Sequence, residues 1–135
     1  MSLPATLLNG YLPPGVHVAA LSEVITRFGT PTPRRQVLAN RLQELLALAR
    51  ATGRLQRVFI WGSFVTDKPF PRDLDVFLLM QEGFDRELLR LPQAQRDVFN
   101  HQRARLLFEA EMIGFGSGLG TTKPLIGASR PNGLM

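Results

Sequence analysis

Two aspartates separated by one residue, Asp73 and Asp75, are the side chains in this sequence best suited to chemistry. They stand at the start of an apolar run rich in Val, Phe and Leu, which predicts a β-strand. In an extended strand, residues two apart point to the same face with Cα atoms about 6.6 Å apart. Both carboxylates can therefore reach one small cluster of hard cations such as Mg²⁺, while Leu74 between them faces the core.

A glycine-serine pair, Gly62 and Ser63, ends the preceding apolar run. A glycine lets a phosphate approach the backbone closely, and free N–H groups and the serine hydroxyl can donate hydrogen bonds to it. The connection to Asp73 carries Lys68, which could meet a triphosphate, and two prolines that stiffen the approach to the carboxylates. The pattern predicts a phosphate site and a metal site at neighbouring strand ends.

The Gly-Ser and Asp-x-Asp pairs, in this order and at this spacing, resemble the signature of the nucleotidyltransferase superfamily related to DNA polymerase β. The chain looks most like the minimal nucleotidyltransferases that bacteria often encode as antitoxin partners of HEPN-type toxins. The likeness is good over residues 62–75 and looser over residues 12–115. Arg72 departs from the pattern, because the family usually has Ser or Thr before the first aspartate.

The resemblance implies a magnesium-dependent transfer of a nucleoside monophosphate from a triphosphate, ATP among the candidates, to a hydroxyl of a toxin protein or an RNA. Asp73 and Asp75 would be catalytic metal ligands, with two Mg²⁺ ions expected alongside the bound triphosphate. Gly62, Ser63 and Lys68 would bind the nucleotide. Family members complete the metal cluster with a third carboxylate from a later strand.

Residues 107–115 alternate as a strand does and are predicted to supply that third carboxylate. Glu109 and Glu111 would share one face, with Phe108 and Ala110 on the other. Aligned loosely with the family, Glu111 falls where the third aspartate would be, so it is the candidate catalytic and metal-binding residue, with Glu109 as its nearest competitor. Glutamate is one methylene longer than aspartate, which changes the ligand geometry.

The elements that must position these residues follow from hydrophobic spacing and turn chemistry. The predicted order is an extended arm to residue 17, helices over about 19–28 and 33–52, strands over 55–61 and 73–80, helical stretches over 85–91 and 93–106, and the strand 107–115. The expected fold is α/β: a small mixed sheet with helices packed on one face, nucleotidyltransferase-like, in one domain over residues 1–115. A Gly- and Pro-rich segment, 116–135, is expected to be an irregular tail.

The longest predicted helix combines an apolar stripe with several arginines. Thr32 can cap its start and Gly53 follows its last turn. The stripe, predicted to pack in the core, contains Val37, Leu38, Leu42, Leu45, Leu46 and Ala49. The arginines, predicted to form a solvated basic face, are Arg34, Arg35, Arg41 and Arg50. Both histidines, His17 and His101, are interpreted as surface residues.

The amino-acid composition limits the classes of partner and the cellular location that fit the protein. Sixteen Lys and Arg against eleven Asp and Glu give a net charge of +5, which favours polyanions such as nucleoside triphosphates or nucleic acid. The absence of cysteine excludes disulfides and thiolate metal sites. No stretch is apolar for the length of a membrane span, and the first residues lack a signal-peptide pattern, so a cytoplasmic protein with no membrane partner is expected.

Two other functions fit part of the pattern. A nucleotidyltransferase fold can be a catalytically weak or inactive antitoxin, a binding module that occludes its toxin, and the departures at Arg72 and Glu111 favour this. So do Phe77 and Leu79, which share the face of the carboxylates and are too apolar to be left in water. The C-terminal segment or a partner protein should cover them. A nucleic-acid-binding protein would rest on net charge alone, because aromatic and basic residues do not alternate.

Overall fold

A computed structural model describes residues 3–117 of the chain. The helices and strands are, in order, α1 (Leu21–Phe28), α2 (Pro33–Ala51), β1 (Leu55–Trp61), β2 (Leu74–Met80), α3 (Phe84–Glu87), α4 (Gln93–Val98), α5 (His101–Phe108) and β3 (Ala110–Ser117). Two short 3-10 turns cover Ser63–Val65 and Leu88–Arg90. None of the helices in this part of the chain has the length and hydropathy that a membrane span requires. Residues 118–135 of the predicted tail lie outside the described residues, whereas Gly116 and Ser117, predicted to be irregular, form the end of β3.

The three strands form one mixed sheet in the order β1-β2-β3. Strands β1 and β2 run antiparallel, and β2 and β3 run parallel. A parallel pair needs a crossover connection, and α3, α4 and α5 supply it between β2 and β3. The prediction of an α/β protein with a small mixed sheet is confirmed.

Alternation along β2 divides the sheet into two faces. Leu74, Val76, Leu78 and Met80 have no exposed surface and join the main core with the leucines of α2. The other face carries a small cluster of Phe59, Trp61 and Phe77, with Leu79 packed against it. Burial of Phe77 agrees with the prediction that it needs cover. Of the two covers expected, the C-terminal segment from residue 118 onwards lies outside the described residues, and a partner protein stays a prediction.

Helix α2 begins and ends where the sequence predicts. Thr32 Oγ1 accepts a hydrogen bond from the N–H of Arg35 at 3.2 Å, and Pro33 occupies the first helical position. The predicted apolar stripe is buried except for Val37, which is exposed. The prediction of a solvated basic face is wrong at one position, because Arg35 is buried with 1% of its surface exposed.

The region before β3 differs from the prediction. Residues 101–108 form helix α5, whose start is capped by Asn100 Oδ1, the acceptor of a 3.0 Å hydrogen bond from the N–H of Arg103. Glu109 ends this helix in a left-handed conformation with φ of 52°. The strand therefore begins at Ala110 rather than at residue 107, and Glu109 is not part of it.

The N-terminal arm contains no helix or strand over residues 3–20, and it is anchored to α1. Leu3 and Leu12 are buried in the main core. The N–H of Leu3 donates to Glu23 Oε2 at 2.5 Å, and Arg27 Nη2 donates to Thr6 Oγ1 at 2.8 Å. His17 Nε2 lies 2.8 Å from the carbonyl oxygen of Pro13, so this histidine has a local backbone partner.

Candidate functional site

The register of the sheet brings most of the predicted site residues to one end of the three strands. Trp61 pairs with Asp75 across β1 and β2, and Asp75 pairs with Glu111 across β2 and β3. Gly62 directly follows Trp61, and Asp73 precedes β2 by one residue. The carboxyl end of β1 and the amino ends of β2 and β3 thus lie side by side.

The Asp75 carboxylate packs against the backbone of Gly62. Gly62 has φ of 79° and ψ of −161°, a conformation essentially restricted to glycine. A Cβ atom added to Gly62 would lie 1.9 Å from Asp75 Oδ2, which is inside the carboxylate. Glycine at position 62 is therefore required both by the turn after β1 and by the position of Asp75.

Asp73 and Glu111 share a cation, the guanidinium of Arg105. Arg105 Nη1 contacts Glu111 Oε2 and lies 3.7 Å from Asp73 Oδ2. His101 Nε2 lies 3.8 Å from the second oxygen, Glu111 Oε1. Arg105 and His101 are four residues apart on α5, so they lie on the same face of that helix.

Arg105 is a site residue that the sequence pattern does not single out. The one signal in the sequence was its spacing from His101. That signal becomes useful only once the helix is known to end just before a strand that carries Glu111 at its second residue.

Glu109 lies away from the site, contrary to the prediction that it shares a face with Glu111. Its left-handed backbone turns the side chain towards α2, where Oε1 lies 2.9 Å from Arg34 Nη1. The second oxygen, Oε2, lies 3.9 Å from Arg41 Nε. Of the two glutamates, Glu111 is therefore the one placed beside the aspartates.

The donor chemistry of Asp73, Asp75 and Glu111 fits Mg²⁺, which prefers carboxylate oxygens. Within residues 3–117, no three His, Cys, Asp or Glu side chains converge closely enough to form a metal cluster. In the described arrangement Arg105 neutralises part of the charge of Asp73 and Glu111. A metal ion held by these carboxylates would compete with this guanidinium for Asp73 and Glu111.

The turn after β1 offers hydrogen-bond donors. Ser63 begins the 3-10 turn Ser63–Val65 and is half-buried. Its carbonyl oxygen accepts from Thr66 Oγ1 at 2.7 Å, whereas its hydroxyl has no partner in the described part of the chain. The side chain of Lys68 is exposed, and none of its described contacts joins it to the carboxylates. Ser63 therefore directly follows the glycine that contacts Asp75, whereas Lys68 has no described contact with the carboxylates.

Arg35 organises the segment that follows Ser63. Its guanidinium donates six hydrogen bonds of 2.5–3.3 Å to five backbone carbonyl oxygens, those of Phe28, Ser63, Phe64, Thr66 and Lys68. The guanidinium carbon also lies 5.7 Å from the ring centroid of Phe64. Burial lowers the pKa of Arg35, and the charge of Asp67 acts in the opposite direction. The predicted solvated role of Arg35 is wrong because several carbonyl groups of this segment converge on it.

Arg34, the neighbouring residue, holds the other end of the same connection. Its Nε donates to the carbonyl oxygen of Pro71 at 3.0 Å, and its Nη2 donates to that of Arg72 at 2.5 Å. Thr32 Oγ1 adds a hydrogen bond to the carbonyl oxygen of Pro69 at 2.8 Å. The first turn of α2 therefore fixes the backbone from the end of β1 to Asp73.

Comparison with known families places the chain in a family. The profile of a family of unknown function, DUF6932, matches residues 4–115. The chain belongs to this family. The matched region includes every candidate site residue, from Gly62 to Glu111. No curated protein and no solved structure matches the chain.

Proposed function

We propose that this DUF6932 protein is a nucleotidyltransferase that moves a nucleoside monophosphate from a nucleoside triphosphate to a hydroxyl of a protein or RNA. One observation carries the proposal. The sheet register sets Gly62, Asp75 and Glu111 on three adjacent strand ends, with Ser63 and Asp73 beside them. A phosphate-binding turn next to three carboxylates is the arrangement that the resemblance to polymerase β-like enzymes requires.

Asp73, Asp75 and Glu111 would hold Mg²⁺, which when bound offsets the charge of the triphosphate and assists attack by the acceptor hydroxyl. The Ser63 hydroxyl would donate to a phosphate oxygen and help to align the α-phosphorus. Arg34 and Arg35 hold the backbone that carries these groups, so less conformational freedom is lost when the substrate binds.

The transfer forms one bond and breaks one. The acceptor oxygen bonds to the α-phosphorus, and the bond from this phosphorus to the oxygen that bridges it to the β-phosphate breaks. Pyrophosphate leaves with the electron pair of the broken bond, and the hydroxyl proton passes to water. By resemblance, the acceptor is a hydroxyl of an HEPN-type toxin or an RNA, and the net charge of +5 suits polyanionic substrates.

The activity test uses labelled ATP, CTP, GTP and UTP with Mg²⁺ and two acceptors, RNA and the protein encoded beside this chain. We expect label on one acceptor. Asp75→Asn and Glu111→Gln should each lower the transfer rate by about 100-fold or more, because each removes a charged metal ligand. Glu109→Gln is the matched control, since that carboxylate is paired with Arg34 and should leave the rate within about twofold.

Folding of each variant is checked by thermal unfolding before the rates are compared. Equal loss of activity in the Glu109 and Glu111 variants would contradict the assigned third carboxylate. Absence of label with all four nucleotides on both acceptors would contradict the proposed activity.

Ser63→Ala should weaken triphosphate binding by about 1–2 kcal/mol, the scale of a hydrogen bond to a charged group. This corresponds to roughly a 5- to 30-fold rise in Kd. Stability should change little, because the Ser63 hydroxyl has no partner in the described residues. Isothermal titration with a non-hydrolysable triphosphate measures the effect. Ser22→Ala, on the exposed side of α1, is the control, and equal affinity of the two variants would remove Ser63 from the phosphate site.

A binding module is the second candidate, an antitoxin that neutralises its partner by occlusion. Two observations favour it. Arg105 already supplies a positive charge to Asp73 and Glu111, and Phe70 in the connection before Asp73 is 70% exposed between two prolines. In this case Phe70→Ser would weaken partner binding while Asp75→Asn would not. If the protein is an enzyme, the order is reversed: Asp75→Asn would reduce modification of the partner more than Phe70→Ser would.

A further inference from the structure

A groove of about 540 Å³ runs along β1 on the side away from β2. The N-terminal arm forms one wall with residues 16–19, and α2 contributes Leu46 and Arg50. Residues 55–60 of β1 form the other wall. The groove contains none of the candidate nucleotide or metal residues, so it is separate from the site at the strand ends.

The groove exposes the edge of a sheet. Strand β1 is an outer strand, and no described strand pairs with its free side. Residues 16–20 of the arm beside it form no helix or strand, and the described residues show no backbone hydrogen bond between this arm and β1. An edge strand presents backbone N–H and C=O groups that can pair with another chain. Here the arm leaves space for another chain beside β1.

The walls of the groove are apolar with a positive rim. Val16 and Val18 are exposed to 42% and 66%, and Val58 is half-buried. Arg50 and Arg57 are exposed, and the lining contains no Asp or Glu. An occupant that pairs with β1 would therefore meet apolar side chains and two positive charges.

Charge selects among three possible occupants. Residues 118–135 of this chain contain Lys123 and Arg130 and no Asp or Glu, so they do not complement the rim. A second copy pairing through β1 would bring Arg57 and Arg50 of both copies into one interface, where like charges repel. A different protein that presents an acidic, extended segment complements both the charge and the edge.

We infer that this groove is a docking site for an extended acidic segment of a partner protein, which adds to the sheet as a strand beside β1. Backbone hydrogen bonds to the edge would supply affinity, and apolar side chains contacting Val16, Val18 and Val58 would supply selectivity. Carboxylates of the segment would pair with Arg50 and Arg57. This inference does not depend on the nucleotide site.

The test is a selection from a displayed library of ten-residue peptides against the full chain. We expect the enriched peptides to carry a net negative charge and to contain acidic residues that alternate with β-branched residues. Arg50→Glu combined with Arg57→Glu should weaken the best synthetic peptide by at least about tenfold, because attraction becomes repulsion. Arg86→Glu combined with Arg90→Glu makes the same change of net charge on exposed residues outside the groove and should leave the affinity within about threefold.

Two further measurements separate strand addition from simple charge attraction. Bound peptide should slow hydrogen exchange of amides within residues 56–60, and N-methylation of alternate peptide amides should abolish binding. The inference is overturned if the library yields no binder, if enriched peptides lack negative charge, or if both double variants lose affinity equally. It is also overturned if a peptide of residues 118–135 binds as tightly as the acidic one, since the groove would then suit this chain's own segment.

Discussion

Arg35→Met should lower the free energy of unfolding by about 3–5 kcal/mol. Methionine keeps much of the length of the side chain but donates no hydrogen bond. Backbone carbonyl oxygens at both α1 and the segment after β1 would lose their charged donor. Urea unfolding followed by fluorescence of Trp61 measures the change.

Two control variants test whether the loss of stability comes from the buried guanidinium of Arg35 rather than from the removal of any arginine. Arg50→Met changes an exposed arginine of the same helix and should stay within about 0.5 kcal/mol. Arg35→Lys keeps the charge, but one ammonium with three donors cannot replace a planar fork that reaches five carbonyl groups, so most of the loss should remain. A change below about 1 kcal/mol in Arg35→Met would mean that water replaces these hydrogen bonds at little cost.

The parts of the fold that depend on local chemistry could be predicted from the sequence. Thr32 and Pro33 mark the start of α2, and β1 and β2 are apolar runs bounded by turn formers. The positions of Gly62 and Asp75 follow in the same way, because each is attached to a strand end. Glycine, proline and hydrophobic period act within a few residues, so a single sequence is enough to use them.

Other parts depend on contacts between distant residues and could not be predicted. Arg35 resembles its exposed neighbours in sequence, and only the convergence of residues 63–68 on α2 gives it partners. The predicted boundary between the last helix and β3 is wrong for another reason. Apolar residues at Phe108, Ala110 and Met112 fit a strand, but the left-handed turn at Glu109 lets Phe108 end a helix while Ala110 begins a strand.

Arg105 combines both difficulties. Its approach to Asp73 and Glu111 requires helix α5 to end where it does and β3 to lie parallel to β2. A strand over residues 107–115 would have left Arg105 in the helix before it, with no reason to face the carboxylates. One error at a boundary therefore hid a charged residue of the candidate site.

Gly62→Ala should destabilise the protein by about 3 kcal/mol or more and displace the Asp75 carboxylate. The backbone conformation at Gly62 costs a non-glycine residue about 1–3 kcal/mol. The new methyl group adds a steric cost, because its carbon would lie 1.9 Å from Asp75 Oδ2 and 2.9 Å from Asp75 Cγ. Since Asp75 is proposed to bind the metal, transfer activity should fall together with stability.

Gly53→Ala is the matched control for backbone strain alone. Gly53 also has a positive φ, 74°, but a Cβ atom there would meet no atom within 4 Å. Its loss should be about 1–2 kcal/mol, the cost of a left-handed conformation for an L-residue, with activity unchanged. The difference between the two variants then contains the contact between position 62 and Asp75 together with the difference in backbone strain.

A double-mutant cycle isolates that contact. Asp75→Ala removes the two carboxylate atoms that would lie nearest the new methyl carbon and leaves Cβ at 3.3 Å, which a small shift can accommodate. Gly62→Ala should therefore cost about 1–2 kcal/mol less in the Asp75→Ala background than in the wild-type chain. Equal costs in the two backgrounds, measured by urea unfolding, would show that the carboxylate moves aside freely. Asp75 would then not be held against the turn, and the joint phosphate and metal site proposed at these strand ends would lose its geometric basis.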